Sequence, residues 1–213
     1  MTADQTLDKA AEERQAALEQ IRREILALDE SPLYAFRTQH AYHPVIGEGS
    51  PTSPIMFIGE APGEREAKSG RPFVGAAGRV LNDLLASIGL ERGDIYITNV
   101  VKDRPPDNRD PSPAEIALYA PFLDRQIAII QPRVIVTLGR FAMDFILGKF
   151  GMAEQGRKIS ELHGQVLTAR GPSGEIAVVP LFHPASSLYS NKIETLREDF
   201  QVLRQFLDNA PAE

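Results

Sequence analysis

The sequence predicts a three-layer α/β/α fold around a central four-stranded parallel sheet. Three observations carry that expectation. Four short apolar runs, at 55–58, 95–101, 134–138 and 176–182, have the length and bounds of buried strands. Segments with helical spacing separate them. Strands joined through helices run parallel and are covered on both faces.

Each element has its own local reason. Residues 4–29 read as one helix, because Leu7, Ala11, Leu18, Ile21, Ile25 and Leu28 recur at three- and four-residue steps. Glu12, Glu13, Glu19 and Arg22 mostly take the other face. Residues 30–54 carry Pro32, Pro44, Gly47, Gly49, Pro51 and Pro54, punctuation that predicts a loop or linker. The first strand, 55–58, ends at Gly59. Val80, Leu81, Leu84, Leu85 and Ile88 predict a helix over 77–88, with Gly89 as its stop. After the second strand, Ser112 is an N-cap, Pro113 takes the first helical position and Glu115 completes a capping box. That helix is expected to run to about residue 130, ahead of the third strand. Residues 141–147 form a helix, 176–182 a fourth strand broken by Pro180, and 194–207 the last helix. The expected organisation is a helical extension over 1–30, one α/β domain over 31–208 and a tail over 209–213.

Composition narrows the classes. With 213 residues, 43% of them apolar, the chain has the size of one compact domain. It has no cysteine, which excludes disulfides, Cys-ligated zinc, iron–sulfur clusters and thiol nucleophiles. No apolar run approaches the roughly 18 residues of a membrane span. The opening MTADQTLDKAAEERQ lacks a signal-peptide layout, so an intracellular, cytoplasmic protein without membrane contact is expected. A net charge of −6 argues against coating nucleic acid by bulk electrostatics, though it leaves room for one local basic face.

In parallel sheets, ligands sit beyond the carboxyl ends of the strands. The first strand runs into Gly59-Glu60-Ala61-Pro62-Gly63, and a glycine-rich segment from Gly70 to Gly78 then opens a helix. Such loops cradle phosphate or simply permit tight turns and close helix packing. The spacing is neither GxGxxG nor GxxxxGK[ST], which disfavours a nucleotide cofactor. The second strand ends at Asn99, whose amide can read a base edge or cap a turn. Lys102, Arg104 and Arg109 follow it, either as a solvated loop or as phosphate contacts. The fourth strand ends in Phe182-His183-Pro184, a stiffly placed imidazole with a structural or a catalytic role. His40, His43 and His163 show no metal-ligand spacing with it.

Taken together, GEAPG, GRPFVGAAG, TNVVKxRPPxNRxPxPxEI and HPA occur in order, with IQPRVIVTLGRFA between the last two. Over roughly 45–207 the chain resembles the uracil-DNA glycosylase superfamily, and within it the family 4 type. The resemblance implies Glu60 at the water-activating end of the pocket and Glu66 as a second acid supporting activity. It implies Phe73 stacked on an extruded base, with Gly59 in the same uracil pocket and Asn99 reading the uracil edge. His183 would hold uracil O2, and Ser186, Ser187, Leu188 and Tyr189 would enter the DNA minor groove. Lys102, Arg104 and Arg109 then become DNA contacts, and Glu60–Gly63 the region that rejects thymine at C5.

The chain also departs from the family pattern. Ala67 stands where the family often has Asp after its second acid, and His163-Gly164-Gln165 replaces an Arg-Gly segment. Typical family 4 members hold a 4Fe–4S cluster on four cysteines. Here Asp103 and Tyr119 stand at two of those positions, and the N-terminal pair falls near 31–37, where Leu33, Tyr34 and Phe36 occur. Apolar packing with the N-terminal helix is expected to replace that staple. The KRRIH-type insert of covalently trapping relatives is missing, so no stable protein–DNA bond is expected. The resulting expectation is a monofunctional glycosylase needing no metal or organic cofactor. Its partners are uracil-containing DNA, the abasic product and free uracil, and it acts as a monomer. The alternatives are a weakly catalytic or noncatalytic module binding uracil or abasic DNA, and a nucleotide-cofactor enzyme of similar fold.

Overall fold

The computed structural model describes residues 3–171 and 174–207. The tail expected over 209–213 lies outside them, as does the side chain of Leu7. Strands β1 (Glu48–Gly49), β2 (Ile55–Gly59), β3 (Tyr96–Asn99), β4 (Val134–Leu138), β5 (Leu167–Gly171) and β6 (Gly174–Leu181) form one sheet in the order β1-β3-β2-β4-β6-β5. The inner four are parallel, as expected from the sequence. The edge strands β1 and β5, which the sequence reading did not include, pair antiparallel.

The helices are α1 (Ala3–Leu26), α2 (Tyr34–Gln39), α3 (Glu64–Ser69), α4 (Ala76–Ser87), α5 (Pro113–Ile130), α6 (Arg140–Lys149), α7 (Ile159–Leu162), α8 (Ser186–Tyr189) and α9 (Ile193–Gln201). The last helix is shorter than the expected 194–207, because a 3-10 turn takes over at Val202–Phe206. Strand alternation divides the core. Met56 and Ile58 face a cluster with Ile21, Ile25 and Leu123 of α1 and α5. Phe57 and Val136 face one with Leu81, Leu84, Leu196 and Phe200 of α4 and α9. Helices on both faces explain why β2 and β4 are buried at every position.

The segment 30–54 is not a linker. It contains α2 and β1, and it buries Leu33, Arg37, Val45 and Ile46. Its order comes from distant partners: the Val45 amide donates to the Lys102 carbonyl at 2.7 Å, and the Thr98 hydroxyl to the Ile46 carbonyl at 2.6 Å. The capping box at α5 forms as read. The Glu115 amide donates to Ser112 Oγ at 3.2 Å, and the Ser112 amide donates to Glu115 Oε2 at 2.8 Å. Among the described residues no helix is long and apolar enough to cross a membrane.

The strand order locates the site. From β2 the chain steps to β3 on one side and later to β4 on the other, so the connections diverge beside β2. A crevice opens at such a switch point, beyond the carboxyl ends of the strands.

Candidate active site

Three of the inner strand ends line that crevice, and the fourth packs against His183. Asn99 closes β3 and Glu60 follows β2, while Gly139 follows β4 and His183 stands two residues past the end of β6. Glu60, Glu66, Phe73, Asn99 and His183 all line one cleft of about 480 Å³, with Arg109 and Tyr189 at its edge. A cleft of this size suits a small organic ligand.

Phe73 is held against its own backbone preference. Its φ is +49°, a left-handed value that an aromatic residue rarely takes. Arg92 secures the turn by donating to the Phe73 carbonyl at 3.1 Å and the Pro72 carbonyl at 2.7 Å. Glu66 Oε1 accepts the amides of Val74 (2.9 Å) and Gly75 (2.7 Å). Gly78 lets α4 press onto the same turn, since a Cβ there would lie 1.8 Å from the Phe73 carbonyl oxygen. The glycines of this segment thus serve close packing. The Phe73 ring stacks beside the His183 imidazole, with centroids 5.7 Å apart and planes at 30°.

Asn99 is only 2% exposed, and its amide takes no hydrogen bond from the described residues, which leaves it for a ligand. Gly59 pairs with Asn99 across β2 and β3. A methyl on Gly59 would sit 2.4 Å from Asn99 Oδ1 and 2.7 Å from the Phe73 ring. Glycine is required there because the Asn99 and Phe73 side chains close over it. Gly139, at φ +92°, similarly admits the His183 Cβ, which lies 3.1 Å from where its own Cβ would stand.

The two titratable groups are tuned in useful directions. Burial pushes His183 down to about 4, with the nearby Glu66 charge opposing weakly, so the ring is neutral at physiological pH. Its Nδ1 accepts the Ala185 amide at 3.1 Å, which places the remaining proton on Nε2. Burial also pushes Glu60 up to about 7; Asp110 adds to the rise and Arg140 offsets part of it.

The other expected site residues are placed in different ways, some of them away from the cleft. Lys102 is not at a DNA-facing surface: it is fully buried, and its Nζ donates to Thr98 Oγ1 (2.8 Å), the Asn99 carbonyl (2.6 Å) and Gln126 Oε1 (2.6 Å). The side chain turns back along β3 because those acceptors lie beneath the strand end, and burial lowers its pKa. Arg104 is half-buried and donates to Tyr42 Oη and Asn108 Oδ1. Arg109 sits at the rim in a two-pronged pair with Glu115. In α8, Ser187 Oγ bonds the Pro184 carbonyl and Ser186 Oγ is enclosed, so neither hydroxyl faces outward. Leu188 and Tyr189 do, at 44% and 89% exposure. The sequence reading missed Arg92, whose partners come from three separate segments, and the Asp110–Arg140 pair that bears on Glu60.

The residues at the cluster-ligand positions do not fit an iron–sulfur cluster. Asp103 already accepts from Arg37 Nη1 (3.0 Å) and Tyr119 Oη (2.6 Å), and Ser31 Oγ is 2.9 Å from that phenol. A guanidinium, a phenol and a carboxylate already committed to both supply none of the thiolates that hold such a cluster. Nor do the described residues place three or more His, Cys, Asp or Glu side chains around a metal. The expected apolar substitute is corrected as well: Leu33 is core, but Phe36 is only half-buried and a buried polar knot occupies the place.

Glu60, Phe73, Asn99 and His183 share one switch-point cleft of an α/β protein. The family model described as the uracil DNA glycosylase superfamily matches residues 46–207, and the chain belongs to that superfamily. It is 47% identical over 191 residues to a type-4 uracil-DNA glycosylase of Sulfurisphaera tokodaii, covering 89% of this chain and 84% of the relative. Type-4 enzymes of Archaeoglobus fulgidus (43% over 185 residues; 87% of this chain, 88% of the relative) and Thermotoga maritima (43% over 182; 83% and 87%) are similar.

Proposed function

We propose that this protein hydrolyses the N-glycosidic bond of deoxyuridine in DNA, releasing free uracil and leaving an abasic site in base-excision repair. The convergence of Glu60, Phe73, Asn99 and His183 on one cleft carries the reading. Extruding the base from a duplex costs a few kcal/mol. Stacking on Phe73 recovers about 1–3 kcal/mol, by the scale of base–aromatic stacking. The Asn99 carbonyl accepts uracil N3–H while its NH2 donates to O4. As the bond breaks, negative charge grows on uracil and positive charge on the sugar. His183 donates Nε2–H to O2, and the Glu60 carboxylate orients the attacking water and takes its proton. Glu66 acts at one remove, by fixing the Phe73 turn. Leu188 and Tyr189 fill the space the base vacates, and Arg104 and Arg109 meet phosphates. Ala61–Gly63, lining the cleft, exclude the thymine methyl. The protein works as a single chain, inside the cell where its DNA is.

A single-turnover assay on a uracil-containing oligonucleotide tests this. Free uracil and an alkali-labile strand are the expected products, without strand cleavage by the protein itself. Tight retention of uracil or abasic DNA without release would establish a binding module instead.

The pH profile tests Glu60. As the base it must be ionised, so uracil release rises with pH through about 7 and then levels off. His183 adds no limb near neutrality, because its proton is lost near 4. Glu60→Gln flattens the profile at a rate about 100-fold lower. Stability moves oppositely. A carboxyl whose folded pKa is raised stabilises fully below its ordinary value of 4.5, and that contribution is lost as pH rises through about 7. Thermal melts of Glu60→Gln therefore gain a few degrees over the parent at pH 8 and almost nothing at pH 4 (roughly 2–4 °C per kcal/mol at this size).

A further inference from the structure

Four buried polar side chains join α2, α5, the end of α1 and the run that follows β3. Arg37 of α2 donates to the Asp103 carboxylate at 3.0 Å and also caps the end of α1, bonding the carbonyls of Ile25 (3.1 Å) and Leu26 (3.0 Å). Tyr119 of α5 donates to Asp103 at 2.6 Å, and Ser31 meets the same phenol at 2.9 Å. All four residues are at most 5% exposed. Desolvation largely offsets the attraction in a buried ion pair, so such a pair is a poor source of stability. Directional bonds, however, fix position in a way apolar contacts do not.

What the knot fixes follows from the backbone beside it. The Val100 amide donates to the Gly59 carbonyl and the Val101 amide to the Glu60 carbonyl, both at 2.9 Å. Lys102 ties the Asn99 carbonyl to Gln126 of α5. The run 99–103 therefore carries the Asn99 amide at one end and Asp103 at the other, with the Gly59–Glu60 turn hung from its middle. Asp103 is the point where α2 and α5 grip that run.

We infer that the Ser31–Tyr119–Asp103–Arg37 knot is a metal-free clamp that positions Asn99 and Glu60 for base reading and water attack, with Arg37, Asp103 and Tyr119 as positioning residues. The inference rests on Asn99 being the base reader. Its test separates position from stability. The variant Arg37→Met/Asp103→Leu/Tyr119→Phe exchanges the knot for apolar groups of similar size, an exchange that folds tend to tolerate. Tyr119→Phe alone removes the two bonds of the phenol, to Asp103 and Ser31, at almost constant volume. Each is compared with the parent and with Asn99→Asp for melting temperature, for single-turnover release of uracil and of cytosine, and for affinity to abasic DNA.

At a temperature well below every melting point, the triple variant is expected to release uracil about 10–100-fold more slowly. Its uracil-over-cytosine preference narrows by a similar factor, and abasic-DNA affinity shifts less than about threefold. Tyr119→Phe moves rate and preference the same way by about threefold. A folded triple variant, or a folded Tyr119→Phe should the triple fail to fold, that keeps the parental rate and preference overturns the clamp. If Asn99→Asp also keeps the parental preference, the base-reading assignment falls instead; if only the knot variants do, the clamp alone falls.

Discussion

Replacing His183 by alanine lowers the single-turnover rate of uracil release by about 100- to 1,000-fold, the loss typical of one preorganised donor to a developing oxyanion. The geometry makes this donor hard to replace. The ring's Nδ1 is held by the Ala185 amide, so Nε2–H points one way only. The Phe73 ring packs beside the imidazole on one side. Because burial keeps the imidazole neutral at pH 7, it stabilises by hydrogen bond without giving up its remaining Nε2 proton. DNA affinity, read by titrating an abasic oligonucleotide, changes by less than about threefold, since in the proposed mechanism His183 meets the base and not the phosphates. An equal fall in rate and affinity would mean that the residue shapes the 183–189 loop.

Asn99→Asp reverses the base preference. Uracil presents O4 as acceptor and N3–H as donor, and cytosine presents the opposite at both positions. The Asn99 amide satisfies the first pattern and leaves buried groups unpaired against the second, a mismatch that discriminates by about 10,000-fold or more. Aspartate cannot donate to O4 while ionised, so uracil release drops by about 1,000-fold. When protonated it donates to cytosine N3 and accepts from the exocyclic amine, so cytosine release becomes measurable. Paired oligonucleotides carrying uracil or cytosine at one position read both effects. Unchanged selectivity would remove Asn99 from base reading.

Much of this architecture was legible because it is local. The capping box at Ser112 and Glu115 needs only three residues, and β2 and β4 are short apolar runs buried on both faces. The strand-end motifs gave Glu60, Phe73, Asn99 and His183 as neighbours, and they share a cleft. What escaped was set by distant contacts. The proline- and glycine-rich 30–54 segment looks like a linker until Arg37 finds Asp103 and Val45 finds Lys102. Lys102 reads as a surface cation because its three acceptors, none of them charged, are assembled by α5 and the turn of the chain at Asn99. The edge strands are too short or too half-exposed to carry a periodic signal.

The left-handed backbone at Phe73 has a thermodynamic consequence. A side chain that arrives disordered must surrender rotational freedom when its ligand docks, and affinity falls accordingly. Here Arg92, Glu66 and Gly78 have already frozen the aromatic face before any nucleotide comes near. The entropic penalty of building the stacking platform is therefore charged to the melting temperature of the empty protein, and the incoming pyrimidine meets a surface that has nothing left to lose.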